Sequence, residues 1–178
     1  MELQKLQRTK SRVKSKQLKT HNSVVCGVDN PLSLGVTFYC LESGEVACKF
    51  TPQPMHEGHA GIMHGGLTGT LLDETMGRSN RELQGAEVDR KATTVTSEYK
   101  IHFYKPVLTG VEYMAVGKII RVDGRYRYAE AYVIDEEGYI YTKTEGTYVA
   151  VDFVDDSERV KGIPGNTTEL DENDPTEM

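Results

Sequence analysis

Residues 64–78 read His64-Gly65-Gly66-Leu67-Thr68-Gly69-Thr70-Leu71-Leu72-Asp73-Glu74-Thr75-Met76-Gly77-Arg78. Leu67, Leu71, Leu72 and Met76 fall at helical spacing, which predicts one helix over residues 65–82. The loop before it carries Pro52, Pro54, Gly58 and Gly61, breakers that keep a helix from starting earlier.

Outward from this helix the chain reads as strands. Residues 34–41 and 45–51 form a pair joined by the Ser43-Gly44 turn. After the helix and a polar link, segments 93–104, 111–122, 125–135 and 139–151 are rich in Val, Ile, Thr and Tyr. Asp123-Gly124 and Glu137-Gly138 supply hairpin turns between the last three. In the first of the four, strict alternation puts Val95, Tyr99, Ile101 and Phe103 on one side, and Thr94, Thr96, Glu98, Lys100 and His102 on the other. The pattern predicts an α+β domain in which an antiparallel sheet of five to six strands curls around one helix.

Asp73 and Glu74 are consecutive, so they point roughly 100° apart around the helix axis and cannot serve one site. Glu74 stands four residues before Arg78, the order that suits a plain surface ion pair. Asp73 instead shares its face with Gly66, Gly69, Thr70 and Gly77. Each such glycine costs roughly 0.8–1 kcal/mol relative to alanine in a helix, so a ligand or a close subunit contact is expected to compensate for the bare face. At the other end, His64-Gly65-Gly66 leaves N–H groups without intrahelical partners at the positive end of the dipole. The Gly65 N–H at such a corner can polarise a carbonyl oxygen.

Composition limits the alternatives. With 178 residues, 38% of them hydrophobic, the chain suits one core. Its 27 acidic and 21 basic residues give a net charge of −6, which argues against nucleic acid or anionic membrane as a partner. Charge is uneven: residues 1–20 hold seven Lys or Arg and one acid, whereas 155–178 hold eight acids and two basic residues. Both ends are expected to be solvated: a basic tail or lead-in over 1–25, a folded domain over 26–154 and an acidic tail over 155–178. Cys26, Cys40 and Cys48 are odd in number and lack CxxC spacing, which suggests neither a disulfide framework nor a zinc site. With no long apolar run or leader pattern, a cytoplasmic protein is expected.

The run from His59 through His64-Gly65-Gly66 to Asp73-Glu74 resembles the hotdog-fold acyl-CoA thioesterases, particularly the phenylacetate-degradation type. An acid eight residues after the first glycine of His-Gly-Gly is the specific part of the match. The lead-in Cys26-Gly27-Val28-Asp29-Asn30-Pro31-Leu32, the strand Thr96–Pro106 and the final hairpin support it, so that the likeness spans residues 26–152. The resemblance implies a homodimer or dimer of dimers, with an active site shared between subunits. It implies hydrolysis of a coenzyme A thioester as substrate, without a cofactor. Asp73 would act as general base or nucleophile and the Gly65 N–H would activate the thioester carbonyl.

The family's Ser or Thr ten residues before the strand proline lands on Thr96. Alternation turns Thr96 away from its own helix, so this role requires a neighbouring subunit or a β-bulge. His64 either holds the loop through a ring hydrogen bond or simply packs. Gly66, Met63 and Leu67 are expected to line the substrate. One departure stands out: six residues before His64, where relatives carry Asn or Gln, this chain has Gly58. Glu57 and His59 flank it, and either substitute for the missing group or sit on a solvated lid. Arg125 and Arg127, beside the Asp123-Gly124 turn, are candidates for the coenzyme A phosphates.

Three rival classes compete with this reading. A metal hydrolase built on His56, Glu57, His59 and His64 lacks HExxH spacing. A hotdog dehydratase lacks its His-Phe-Pro. A non-catalytic acyl-CoA sensor of the same fold differs only in failing to turn over. Ten tyrosines against four phenylalanines fit an aromatic acyl group and ordinary sheet propensity equally.

Overall fold

The computed structural model describes residues 4–80, 93–151, 158 and 160–178. The chain begins with strands β1 (Val13–Lys16), β2 (Tyr39–Leu41) and β3 (Val46–Phe50). A small hairpin, β4 (Glu57–His59) and β5 (Ile62–Met63), precedes the helix α1 (Gly65–Ser79). Four longer strands follow: β6 (Thr93–Phe103), β7 (Tyr113–Asp123), β8 (Tyr126–Ile134) and β9 (Ile140–Val151). The seven-stranded sheet runs β1-β2-β3-β7-β8-β9-β6, antiparallel throughout. The expected α+β architecture is present with one strand more than the sequence pattern suggested. Residues 81–82 of the expected helix, the polar link after it and the boundary at 154 lie outside the described residues.

The helix lies on a floor of small residues. Leu71, Leu72 and Met76 are fully buried, in one cluster with Ala115, Ala129, Ala131 and Val133. A Cβ on Gly117 would come within 3.1 Å of Thr75 Cγ2, and one on Gly146 within 3.1 Å of Met76 Cε. Alternation sends Val116 and Ile134 to the reverse face, where they cluster with Val13, Leu41, Ile140 and Met178. At the hairpin turns Gly124 and Gly138 take φ of 53° and 86°, the left-handed region that glycine enters at least cost.

Among the described residues the two ends, expected as free tails, are docked on one another and on the sheet. β1, which pairs with β2, is the extra strand and comes from the basic arm. Ser11 and Met178 exchange backbone hydrogen bonds, and Val13 N–H donates to Thr176 O at 2.9 Å. Lys16 Nζ donates to Asp171 Oδ2 and Asp174 Oδ2, both at 2.8 Å, and Tyr39 Oη donates to Asp174 Oδ1. Charge counts alone cannot reveal this pairing, because opposite charges on two polar segments look the same docked or dissolved.

Among the described residues no helix is long and apolar enough to cross a membrane.

Lys16 holds the Asp171 carboxyl below its usual range. At Asp174 burial pulls the other way, but Lys16, the Asp171 N–H and Tyr39 together outweigh it and the value falls. Both folded values are depressed, so this contribution to stability is complete above the ordinary carboxylate range and is lost as pH falls through the depressed values. Asp174→Ala should lower the melting temperature by roughly 2–4 °C at neutral pH. Hydrogen exchange at Val13–Lys16 should quicken, and the difference from wild type should shrink in acid.

Candidate active site

Asp73 sits mid-helix, partly buried, facing β6 and β9. Its Oδ1 accepts from Thr96 Oγ1 at 2.9 Å and from Tyr148 Oη at 2.7 Å. Thr96 and Tyr148 are directly opposite in the β6–β9 ladder, which places both side chains on one face. Thr96 therefore addresses its own helix, and a bulge makes this possible. The register slips between Thr96 and Glu98, so Ser97 is an extra residue on β6. The strict alternation read from the sequence is corrected here: Thr96 joins Tyr99, Ile101 and Phe103 on the helix side, while Val95 is exposed.

Those side chains account for most of the glycine-bare face. A Cβ on Gly65 would meet the Phe103 ring at 3.4 Å, one on Gly69 the Tyr99 hydroxyl at 3.4 Å, and one on Gly77 the Tyr148 ring at 3.6 Å. The close approach expected from a ligand or second subunit is made by aromatic rings of the chain's own sheet.

At the N-terminus of α1, His64 is the N-cap: its Nδ1 accepts the Gly66 N–H at 2.9 Å. A ring whose Nδ1 accepts in this way carries its proton on Nε2. Gly65, at the first helical position, keeps an N–H that meets no acceptor among the described residues. It opens on a recess of about 250 Å³ lined by Ile62, Thr68, Phe103, Lys105 and Val107. Met63 is buried and Leu67 half-buried against the core.

Gly58 has a steric explanation. A Cβ there would fall 3.0 Å from His64 Cδ2 and 3.1 Å from His64 Cα, so the capping histidine fills the space that an Asn or Gln side chain would need. Glu57 lies beside Gly58 on this hairpin, and its Oε1 accepts from Thr109 Oγ1 at 3.1 Å. His59 is exposed on the same hairpin. His56 Nδ1 accepts the Gln53 N–H, so the histidines of this loop are used separately rather than converging.

Two sequence expectations need revision. Arg127 is buried and its Nη1 donates to Gly124 O at 2.6 Å and Tyr126 O at 3.1 Å, so it braces the hairpin instead of awaiting a phosphate. Arg125 is exposed. Glu74 pairs with Arg78 at 2.8 Å as expected, but Arg78 is buried rather than on the surface. Its guanidinium also donates to Cys26 Sγ, Gln17 Oε1 and Leu18 O, and lies over the Phe38 ring.

The residue that sequence reasoning missed is Tyr148. A signal existed: in β9 the phase of Thr142, Thr144 and Gly146 is the helix-facing one, and Tyr148 continues it. Burial, and then the Asp73 charge, push its hydroxyl far above the ordinary tyrosine value, so it remains a proton donor.

Residues 60–141 match the family model described as the thioesterase superfamily. The chain has the hotdog fold, and over these residues it is similar to the thioesterases. A crystal structure of a thioesterase superfamily protein aligns to the hotdog chain with a TM-score of 0.65 at 25% identity, over 73% of this chain; the chain spans 60% of that protein. A Bacillus halodurans protein solved with CoA aligns at TM-score 0.55 and 26% identity, over 64% of this chain and 72% of the other. The Escherichia coli PaaI protein of the phenylacetic acid degradation operon shares the hotdog fold at TM-score 0.57 and 14% identity, over 66% and 80% of the two chains. No curated protein matches the chain.

Gly58→Asn should not restore the polar group of relatives. The added side chain meets His64 backbone, and the overpacking should cost roughly 1–3 kcal/mol, read as a lowered midpoint in denaturant.

Proposed function

We propose that this hotdog protein is an acyl-CoA thioesterase, with Asp73 as general base or nucleophile and the Gly65 N–H polarising the thioester carbonyl. The observation that carries this reading is a partly buried carboxylate with Oδ1 anchored by two hydroxyls, on a helix whose first N–H opens into an apolar recess. Hydrolysis needs these two features: an ionised oxygen to activate water or attack, and a preorganised donor where negative charge develops.

The two features cannot act on one carbonyl within one chain. Eight residues of helix separate Gly65 from Asp73, a rise of about 12 Å, whereas a C=O bond is about 1.2 Å long. A second copy resolves this by bringing its Asp73 to the first chain's Gly65, in a dimer or dimer of dimers. β6 suits such pairing: it is the sheet's open edge and exposed along most of its length.

As base, Asp73 takes a proton from water while oxygen bonds to the carbonyl carbon. The tetrahedral intermediate then expels sulfur, and the thiolate recovers the proton from Asp73, leaving acid and free thiol. As nucleophile, Asp73 displaces the thiolate to form an anhydride that water opens. The CoA found with the Bacillus halodurans relative supports coenzyme A as the carrier. Arg125, exposed at the β7–β8 turn, is the remaining candidate of the two for its phosphates.

Thiol release should be detected on a panel of acyl-CoAs, aliphatic from short to long and aromatic. Asp73→Asn should reduce kcat by about 10³-fold or more, as for other groups central to the chemistry. Tight binding without turnover on every member would instead identify an acyl-CoA sensor.

A further inference from the structure

We propose that Tyr148 is a positioning residue for Asp73: with Thr96 it pins Oδ1, so that Oδ2 is the oxygen presented to the reaction. This rests on the reading of Asp73 as the reactive carboxylate.

The argument starts from hydrogen-bond supply. A carboxylate in the charged state has two equivalent oxygens and a side chain that rotates about χ2, so by itself it offers neither oxygen in particular. Here the two hydroxyl donors converge on Oδ1, at 2.9 Å from Thr96 and 2.7 Å from Tyr148. Oδ2 has no partner among the described residues. The tyrosine hydroxyl has one proton and two acceptors, Asp73 Oδ1 at 2.7 Å and Asp73 O at 2.9 Å. The proton can serve only one of them fully, and the shorter contact, to Oδ1, is the one that restrains the carboxylate.

The hydroxyl is itself held. Tyr148 is buried, and the edge of its ring lies where a Cβ on Gly77 would be 3.6 Å away. The glycine one turn after Asp73 thus makes room for the ring. Thr96 is exposed, whereas Tyr148 is enclosed.

The test compares wild type, Tyr148→Phe, Thr96→Val and Asp73→Asn by kcat and KM, and by the NMR resonance of the Asp73 carboxyl carbon at neutral pH. Phe keeps the ring and its contact with Gly77 while removing the hydroxyl. Tyr148→Phe should lose about ten- to a hundred-fold in kcat with KM within about twofold. The Asp73 carboxyl carbon resonance should move away from its wild-type position, because Oδ1 loses one of its two donors.

If Tyr148→Phe keeps the wild-type kcat and Asp73 carboxyl resonance while Asp73→Asn is inactive, Tyr148 only packs, and the proposal falls while the thioesterase reading stands. A lower melting temperature with an unchanged carboxyl resonance likewise reduces Tyr148 to a packing role and overturns the proposal. If Asp73→Asn turns over like wild type, the reading of Asp73 fails and the positioning role falls with it. The NMR resonance needs no substrate, so the hydrogen-bond effect on Asp73 is measured even if no acyl-CoA on the panel is hydrolysed.

Discussion

Leu71, Leu72 and Met76 can sit at full burial only because the strands beneath them present Ala115, Gly117, Ala129, Ala131 and Gly146. Each such apolar side chain stabilises the fold by roughly 1.5–3 kcal/mol, and close-packed interiors do not yield when a group is displaced. The seat therefore fixes the depth, rotation and axial position of α1 together. Once those are fixed, Asp73 meets the Thr96–Tyr148 pair and Gly65 meets Phe103 and the recess. Neither end of the helix can be adjusted separately from the other.

Much of this is legible in the sequence. Helical spacing of Leu67, Leu71, Leu72 and Met76, and the Gly-containing turns, set the order of elements, and the arrangement of Asp73 and Glu74 separates candidate acid from ion pair. The features that sequence reasoning does not reach share a physical cause: they depend on register or on distant partners. Ser97 bulges without a glycine or proline to announce it, so the phase of Thr96 cannot be read until its pairing with Tyr148 is known. Tyr148 lies 75 residues from Asp73 in the chain, and its helix-facing phase in β9 does not by itself name Asp73 as its partner. Arg127 could not be told from a free cation, since what occupies its guanidinium is backbone of its own turn.

The polar ends illustrate how weakly composition speaks about docking. Lys16 meets two carboxylates more than 150 residues away, and the arm around it completes the sheet edge that would otherwise expose Tyr39 and Leu41. Arg78 reaches in the same direction from the helix, where Cys26, Gln17 and Leu18 converge on its guanidinium. The helix that carries Asp73 is thereby fastened at its C-terminal end to the segment that leads into the sheet.

The extra residue at Ser97 divides β6 into two lengths that answer to different demands. Residues 99–103 shape a wall over the helix N-terminus, and Thr96, on the other side of the bulge, braces the acid. Because the bulge absorbs the change of phase, side chains on the wall can vary in size through evolution without turning Thr96 outward. Pocket shape and acid support are in this sense separate inheritances carried on one strand, and a family can diversify the first while keeping the second.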